Sequence, residues 1–164
     1  MTVNFNHLFS LQRELDNRIV QEHGLEGQNL FENKLLALKV EVGELANETR
    51  CFKYWSKKDP SPKETILEEY VDGIHFILSL GLELGVTHGE LPVEVDERQT
   101  SVHGFHEVYR SIERLAEAKD KDAYFHLMEQ YLVLGRLIGL RFDEIDAAYL
   151  KKNEVNHNRQ EQGY

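Results

Sequence analysis

The chain has 164 residues, 41% of them hydrophobic and 29% charged, which suits a globular protein with a sizeable core and argues against disorder. Nineteen Lys and Arg against 29 Asp and Glu leave a formal charge of −10, which excludes a general DNA, RNA or anionic-membrane surface but not a nucleotide held through cations. One cysteine, Cys51, excludes an intrachain disulfide; with no apolar run of membrane-spanning length and no basic-then-apolar leader in Met1 to Leu11, a reducing, cytoplasmic setting is expected.

With 3 Pro, 11 Gly and no strand-like alternation, the pattern predicts an all-α helical bundle forming a single domain over 1–164. Asn6 is placed to cap a first helix, His7 to Gln21, whose apolar positions Leu8, Leu11, Leu15 and Ile19 recur at helical steps. Gln12 and Asp16 sit i, i+4 on one side of it, and by spacing alone a solvated face accounts for both. Gln21 to Leu30, with Gly24 and Gly27, reads as a loop. A second helix is predicted over Asn33 to Trp55, with an apolar stripe of Leu35, Leu38, Val42, Leu45, Thr49 and Phe52 and a neighbouring stripe of Glu41, Glu44 and Glu48. It closes on Phe52-Lys53-Tyr54-Trp55, which reads either as a stacking wall for a base or, for Phe52 and Tyr54, as core anchors; Phe52 falls on the apolar stripe and is assigned to the core.

Pro60 and Pro62 end that segment and start a third helix, Lys63 to Leu84. Apolar residues cover nearly its whole circumference, the mark of a buried helix. After a turn at Thr87 to Gly89, Leu91 to Gln99 is a short helix or a loop. Helices follow over Val102 to Lys119 and, capped by Asp120, over Lys121 to Ile138; these read as packing or oligomer-forming helices. His103 and His106 lack an H-E-x-x-H partner and read as ordinary surface or core histidines. The last helix begins near Phe142, with Asp143, Glu144 and Asp146 in its first turn. From Tyr149 to Tyr164 the chain is polar. That favours a frayed tail, yet Lys152, Asn153, Asn156 and Arg159 recur as a donor-rich stripe suited to phosphate oxygens.

The acids carry the chemistry. Glu41 and Glu44 form an ExxE pair, Glu69 and Asp72 an ExxD pair, and no Lys or Arg occurs between Thr65 and Glu90. Carboxylates on a buried helix are costly unless paired, hydrogen-bonded or metal-bound. Either arginines from elsewhere in the fold neutralise them, or divalent cations such as Mg²⁺ do, and facing ExxE and ExxD helices suit oxygen-ligated ions that clamp a polyphosphate.

Three separated blocks carry a family resemblance: LQRELD at Leu11 to Asp16; EVGELANETRCFKYW at Glu41 to Trp55 with EEYVDGIHFILSLGLELG at Glu68 to Gly85; and the tail YLKKNEVNHNRQEQGY. Together they resemble the dimeric dUTP diphosphatases (dUTPases) of the all-α, MazG-like nucleotide pyrophosphatase superfamily. The resemblance runs from about Leu8 to Tyr164, loosely over 86–142. The acid pairs belong to the superfamily at large, whereas the FKYW block and the tail are specific to the dUTP-hydrolysing branch. It implies Mg²⁺, more than one ion per site, on Glu41, Glu44, Glu69 and Asp72, with Glu41 positioning or deprotonating the attacking water. Gln12 would hydrogen-bond the uracil edge, and Trp55 and Phe76 would pack on the base. His75 would lie near the deoxyribose; its alternative is a satisfied core histidine. Lys152, Asn153 and Arg159 would meet the phosphates, with Lys53 a further candidate. Asp16, where the family often has Asn, belongs to the same substrate-binding set without an assigned role. The implied reaction is hydrolysis of dUTP to dUMP and pyrophosphate by a homodimer, keeping uracil out of DNA and supplying dUMP for thymidylate synthesis. The alternatives are an all-α pyrophosphatase acting on dCTP or other nucleotides, a carboxylate-bridged di-iron bundle for which only Asp72-x-x-His75 is a near-match, and a non-catalytic helical dimer that binds another protein.

Overall fold

The computed structural model describes residues 1–163; Tyr164, the last residue of the tail motif, lies outside them. Six helices form: α1 (Asn6–Glu22), α2 (Phe31–Thr49), α3 (Lys63–Glu83), α4 (Ser101–Ala118), α5 (Lys121–Leu137) and α6 (Phe142–Glu161). The architecture is the expected all-α bundle, with one departure. Strands β1 (Thr2–Asn4) and β2 (Glu90–Pro92) pair antiparallel, Val3 opposite Leu91. Three residues are too few for an alternating pattern to register in the sequence. The same stretch resolves the segment after the Thr87 to Gly89 turn as extended chain rather than helix.

α3 is the central element and packs against α1, α2, α5 and α6, while α4 pairs with α5 and also touches α2. That placement explains its composition: neighbours on all sides demand apolar residues all round, and Tyr70, Val71, Ile77, Leu78 and Leu80 are fully buried. α3 and α5 are joined by a reciprocal tyrosine pair. The Tyr70 hydroxyl donates to the Tyr131 carbonyl (2.8 Å), the Tyr131 hydroxyl donates to the Tyr70 carbonyl (2.6 Å), and the rings stack at 4.4 Å. Each hydroxyl reaches across a glycine of the opposite helix, Gly135 under Tyr70 and Gly73 under Tyr131, where a Cβ would overlap the ring.

Several local expectations are corrected. Asn6 is the first residue of α1, not its cap: Asn4 Oδ1 accepts the Asn6 N–H (3.0 Å), and Asn6 Oδ1 accepts the Gly89 N–H (2.7 Å), tying the helix start to the β2 turn. α2 stops at Thr49, six residues before Trp55, because Arg50 turns into the left-handed region at φ 59°. The chain then folds back, with the Ser61 N–H on the Glu48 carbonyl (3.0 Å) and the Ser61 hydroxyl on the Glu48 carboxylate. The apolar stripe is broken there, so Phe52 is 39% exposed and Tyr54 93%; neither is a core anchor. Asp120 caps α5 as expected, its side chain accepting the Ala123 N–H.

The tail does not fray. α6 is helical to Glu161, held to α1 by Arg18 to His157 (3.1 Å) and His23 to Gln160 (2.9 Å), with Tyr149 fully buried and Asn153 nearly so. Its polarity reflects the polar groups it packs against.

The tyrosine clasp generates a prediction. Gly73→Ala should destabilise the fold by about 1–3 kcal/mol, the usual cost of overpacking. Urea denaturation should register the loss as a lower midpoint with an unchanged slope; a wild-type midpoint would show that α3 and α5 do not approach so closely in solution.

Candidate active site

The loop from Arg50 to Pro62 sends α3 back along α2, so the two acid pairs meet as antiparallel helices make them meet. Glu41, Glu69 and Asp72 each place a carboxylate oxygen within 4.8 Å of the others. Glu44, more exposed, reaches the carboxyls of both Glu41 and Glu69. Glu48 stands further along, bonded to Ser61. Crowding of like charges beside the core has an electrostatic cost. Burial, followed by the charges of Asp72 and Glu44, pushes Glu41 up to about 8; the same causes push Glu69 up to about 7.

The side chain paired with one of these acids is a lysine, where an arginine is expected. Lys152, from α6, pairs with Asp72 at 3.1 Å. Burial still raises Asp72 from its ordinary value, against the lowering influence of Lys152 and Arg159. Glu41 and Glu69 have no ion pair among the described residues, and the buried oxygens Glu41 Oε2 and Glu69 Oε2 have no hydrogen-bond partner. An all-carboxylate donor set with orphaned buried oxygens and raised proton affinity suits a hard divalent cation, so the residues present fit Mg²⁺.

Beside the cluster lies a cavity of about 220 Å³, lined on one side by Glu41, Asp72, His75, Phe76 and Ser79 and on the others by Gln12, Leu15, Asp16 and Ile19 of α1 and by Lys152, Asn156 and Arg159 of α6. The solvated-face reading of Gln12 and Asp16 is thereby corrected. Gln12 is 3% exposed and Asp16 half-buried, because α3 and α6 cover that side of α1. The Gln12 Oε1 accepts from the Tyr149 hydroxyl (2.8 Å) and sits 2.7 Å from His75 Nδ1, while Gln12 Nε2 donates to Asp16 Oδ1 (2.9 Å). Ser79 donates to the other Asp16 oxygen (2.7 Å). Burial raises Asp16, and these two hydrogen bonds counter it. His75 is buried, stacked on Tyr149 at 4.3 Å, and pushed down to about 3 by burial and by Lys152, so its ring is neutral.

Of the residues singled out from the sequence, the fold brings Gln12, Asp16, Glu41, Asp72, His75, Phe76, Lys152 and Arg159 to one cavity, with Glu44 and Glu69 on its acidic edge. Asn153 is buried against Tyr149, its Nδ2 without a hydrogen-bond partner among the described residues. Trp55 is not at the cavity: it is 64% exposed on the 50–62 loop, edge-on to Phe52 (5.9 Å) and Tyr54 (5.1 Å). Lys53 lies over the Phe52 ring. Two residues of the site escaped notice. Ser79 extends the Asp72, His75 series by one turn, and Tyr149 precedes Asn153 by four, so both carried a helical-spacing signal.

A scan of protein families matches residues 4–164 to the family described as dUTPase. The search of curated proteins gave no match.

The raised acids imply a linkage between pH and stability. Glu41 and Glu69, with ordinary values of 4.5, keep protons in the folded chain to about pH 8 and 7. Between these limits the folded state binds more protons than the unfolded one, so metal-free stability falls as pH rises. With EDTA, the melting temperature should drop from about pH 5 to about pH 8.5. Saturating Mg²⁺ should raise it most at the alkaline end, since ligands must lose protons to bind. A Mg²⁺ effect equal at both ends would show that the acids are not buried together.

Proposed function

The chain belongs to the all-α dUTPase family, whose members hydrolyse dUTP, and from that premise we propose that it converts dUTP to dUMP and pyrophosphate with Mg²⁺ at the α1–α2–α3–α6 cavity. The observation that carries this reading is the convergence of three carboxylates within 4.8 Å beside a cavity that Lys152 and Arg159 also line. A carboxylate cluster with cationic side chains beside it suits a metal-bound polyphosphate and suits few other ligands.

Glu41, Glu44, Glu69 and Asp72 would hold the ions, more than one per site. Bound Mg²⁺ supplies charge neutralisation at the phosphate oxygens and acidifies ligated water. Glu41, whose proton affinity is raised by burial and by its acidic neighbours, is suited to orient the attacking water and accept its proton. Lys152 uses one donor on Asp72 and keeps two for phosphate, and Arg159 lines the cavity with it. Gln12 and His75 line the same cavity and would meet the nucleoside, with Phe76 against the base. Consumption of dUTP would keep uracil out of DNA, and release of dUMP would feed thymidylate synthesis, in a cytoplasmic setting.

The protein would act as a homodimer. Leu36, Val40 and Gly43 form an exposed small and apolar stripe at helical steps on the outer face of α2, which runs toward the exposed Tyr54 and Trp55. Covering that face with a second copy would bury the stripe and give Trp55 a partner surface, restoring it to the base pocket from which it stands apart in one chain. No helix among the described residues is long and apolar enough to cross a membrane.

Two measurements test the proposal. Pyrophosphate release on dUTP, dTTP, dCTP and UTP should be confined to dUTP and abolished by EDTA, with Glu41→Gln losing about 10²–10⁴-fold in kcat. Turnover of dCTP would retain the metal site and discard the uracil pocket; no turnover of any would favour a binding protein. Light scattering should give twice the chain mass of 19.1 kDa, and Val40→Glu should return monomers.

A further inference from the structure

α3 is the wall between two cavities. Asp72, His75 and Ser79 line the candidate active site, while Ile74 and Leu78 line a second cavity of about 260 Å³ that shares no lining residue with the first. Phe5 and Leu8 at the start of α1, Met128 and Leu132 of α5, and the β1 strap complete its walls. These six side chains are each 5% exposed or less. Apolar side chains offer a water molecule none of the hydrogen-bond partners it needs.

The walls are held against collapse. A void in a core costs stability in proportion to its volume, so neighbouring side chains close on it wherever they are free to move. Here the Phe5 ring lies against Gly89, where a Cβ would overlap it, and the Phe5 N–H donates to the Gly89 carbonyl (3.2 Å). Ile74, Leu78, Met128 and Leu132 belong to the two helices that the Tyr70 and Tyr131 clasp fixes together. β1 is pinned by its pairing with β2.

The charged groups of the lining are both acids, Asp143 and Asp146; no Lys, Arg or His among the described residues lines it. Their side chains are 70% and 45% exposed, so they stand where the cavity meets solvent. Asp143 pairs with Arg141 (2.9 Å). Asp146 meets the imidazole of His7 (3.0 Å), which an incoming cation can replace without stranding a guanidinium. An apolar cavity of about 150 Å³ accepts benzene. This one therefore has room for a ring with a short side chain.

We propose that this cavity is a second ligand site, for a small apolar molecule carrying one positive charge. The apolar body lies among Ile74, Leu78, Met128 and Leu132, and the cationic group meets the Asp146 carboxylate. The net charge of −10 favours such a cation before contact, whereas an anion of the same shape meets both acids. The site is independent of the dUTP reading, because none of its residues lines the active-site cavity.

Met1 and Met128 are the only methionines of the chain, and both line the cavity, so NMR of methyl-¹³C-methionine protein observes this site directly. Titration with phenethylammonium should move the Met128 methyl through the ring current of the ligand and reach saturation. Phenethyl alcohol, which has the same shape without the charge, should move the same methyl with about fivefold weaker affinity, and phenylacetate should bind more weakly still. Asp146→Asn, at an exposed position, should reduce the ammonium to the affinity of the alcohol. Leu132→Phe, which adds atoms to the void, should abolish both titrations in a folded protein. An unmoved Met128 methyl, equal affinities for phenethylammonium and phenylacetate, or an ammonium affinity unchanged in Asp146→Asn overturns the proposal. So does an unchanged titration in folded Leu132→Phe; should that variant not fold, the charge series and Asp146→Asn decide alone.

Discussion

Holding Glu41, Glu69 and Asp72 within 4.8 Å of one another at the edge of a core opposes folding, because burial and like-charge repulsion act on the same groups. The rest of the structure is arranged around that cost. α3 is apolar nearly all round and packs on four neighbours, and the burial of its large side chains supplies free energy that offsets the acids it carries. The tyrosine clasp fixes α3 against α5 over two glycines, so the acidic edge has little freedom to open and relieve its own repulsion. Protons take up part of the strain in the metal-free chain. Lys152 takes up another part, and the orphaned oxygens of Glu41 and Glu69 mark what remains for a cation.

α6 has two duties that pull its composition in different directions. Its first half packs against α1 and α3 through Ile145 and Tyr149, while its second half delivers Lys152, Asn156 and Arg159 to the cavity. A helix with that division has no single apolar face. It is stable because its polar side chains find partners on α1, not because its own periodicity demands a helix.

Much of this architecture was legible in advance. The starts of α3 and α6, the Asp120 cap, the burial of α3 and the spacing of the acid pairs all follow from local rules: proline at helix starts, a capping carboxylate, and 3.6 residues per turn. The acids of Glu41 and Asp72 were recognisable as unusual because they lay beside apolar stripes. Phe52 continued a stripe numerically, but Arg50 had already left the helix; Gln12 and Asp16 looked like solvent-facing polar residues, but α3 and α6 lie over them. Asn6 looked like a cap because it precedes an apolar periodicity, yet the chain used Asn4 for the first free N–H and Asn6 to reach Gly89.

The sequence by itself determined the helices, their inward faces, the all-α class and the presence of two acid pairs at ligand spacing, since each depends on neighbours within one turn or one stripe. Only the tertiary structure decided that Lys152 rests on Asp72, that Tyr149 and Ser79 join Gln12, Asp16 and His75 in one network, and that Trp55 stands outside the cavity in a single chain. The physical reason is that helical periodicity reports which residues share a face and is silent on what covers that face. For an apolar residue the two questions have one answer. For a glutamine, a histidine or a lysine, the partner across the interface determines whether it is solvent-facing or part of a site.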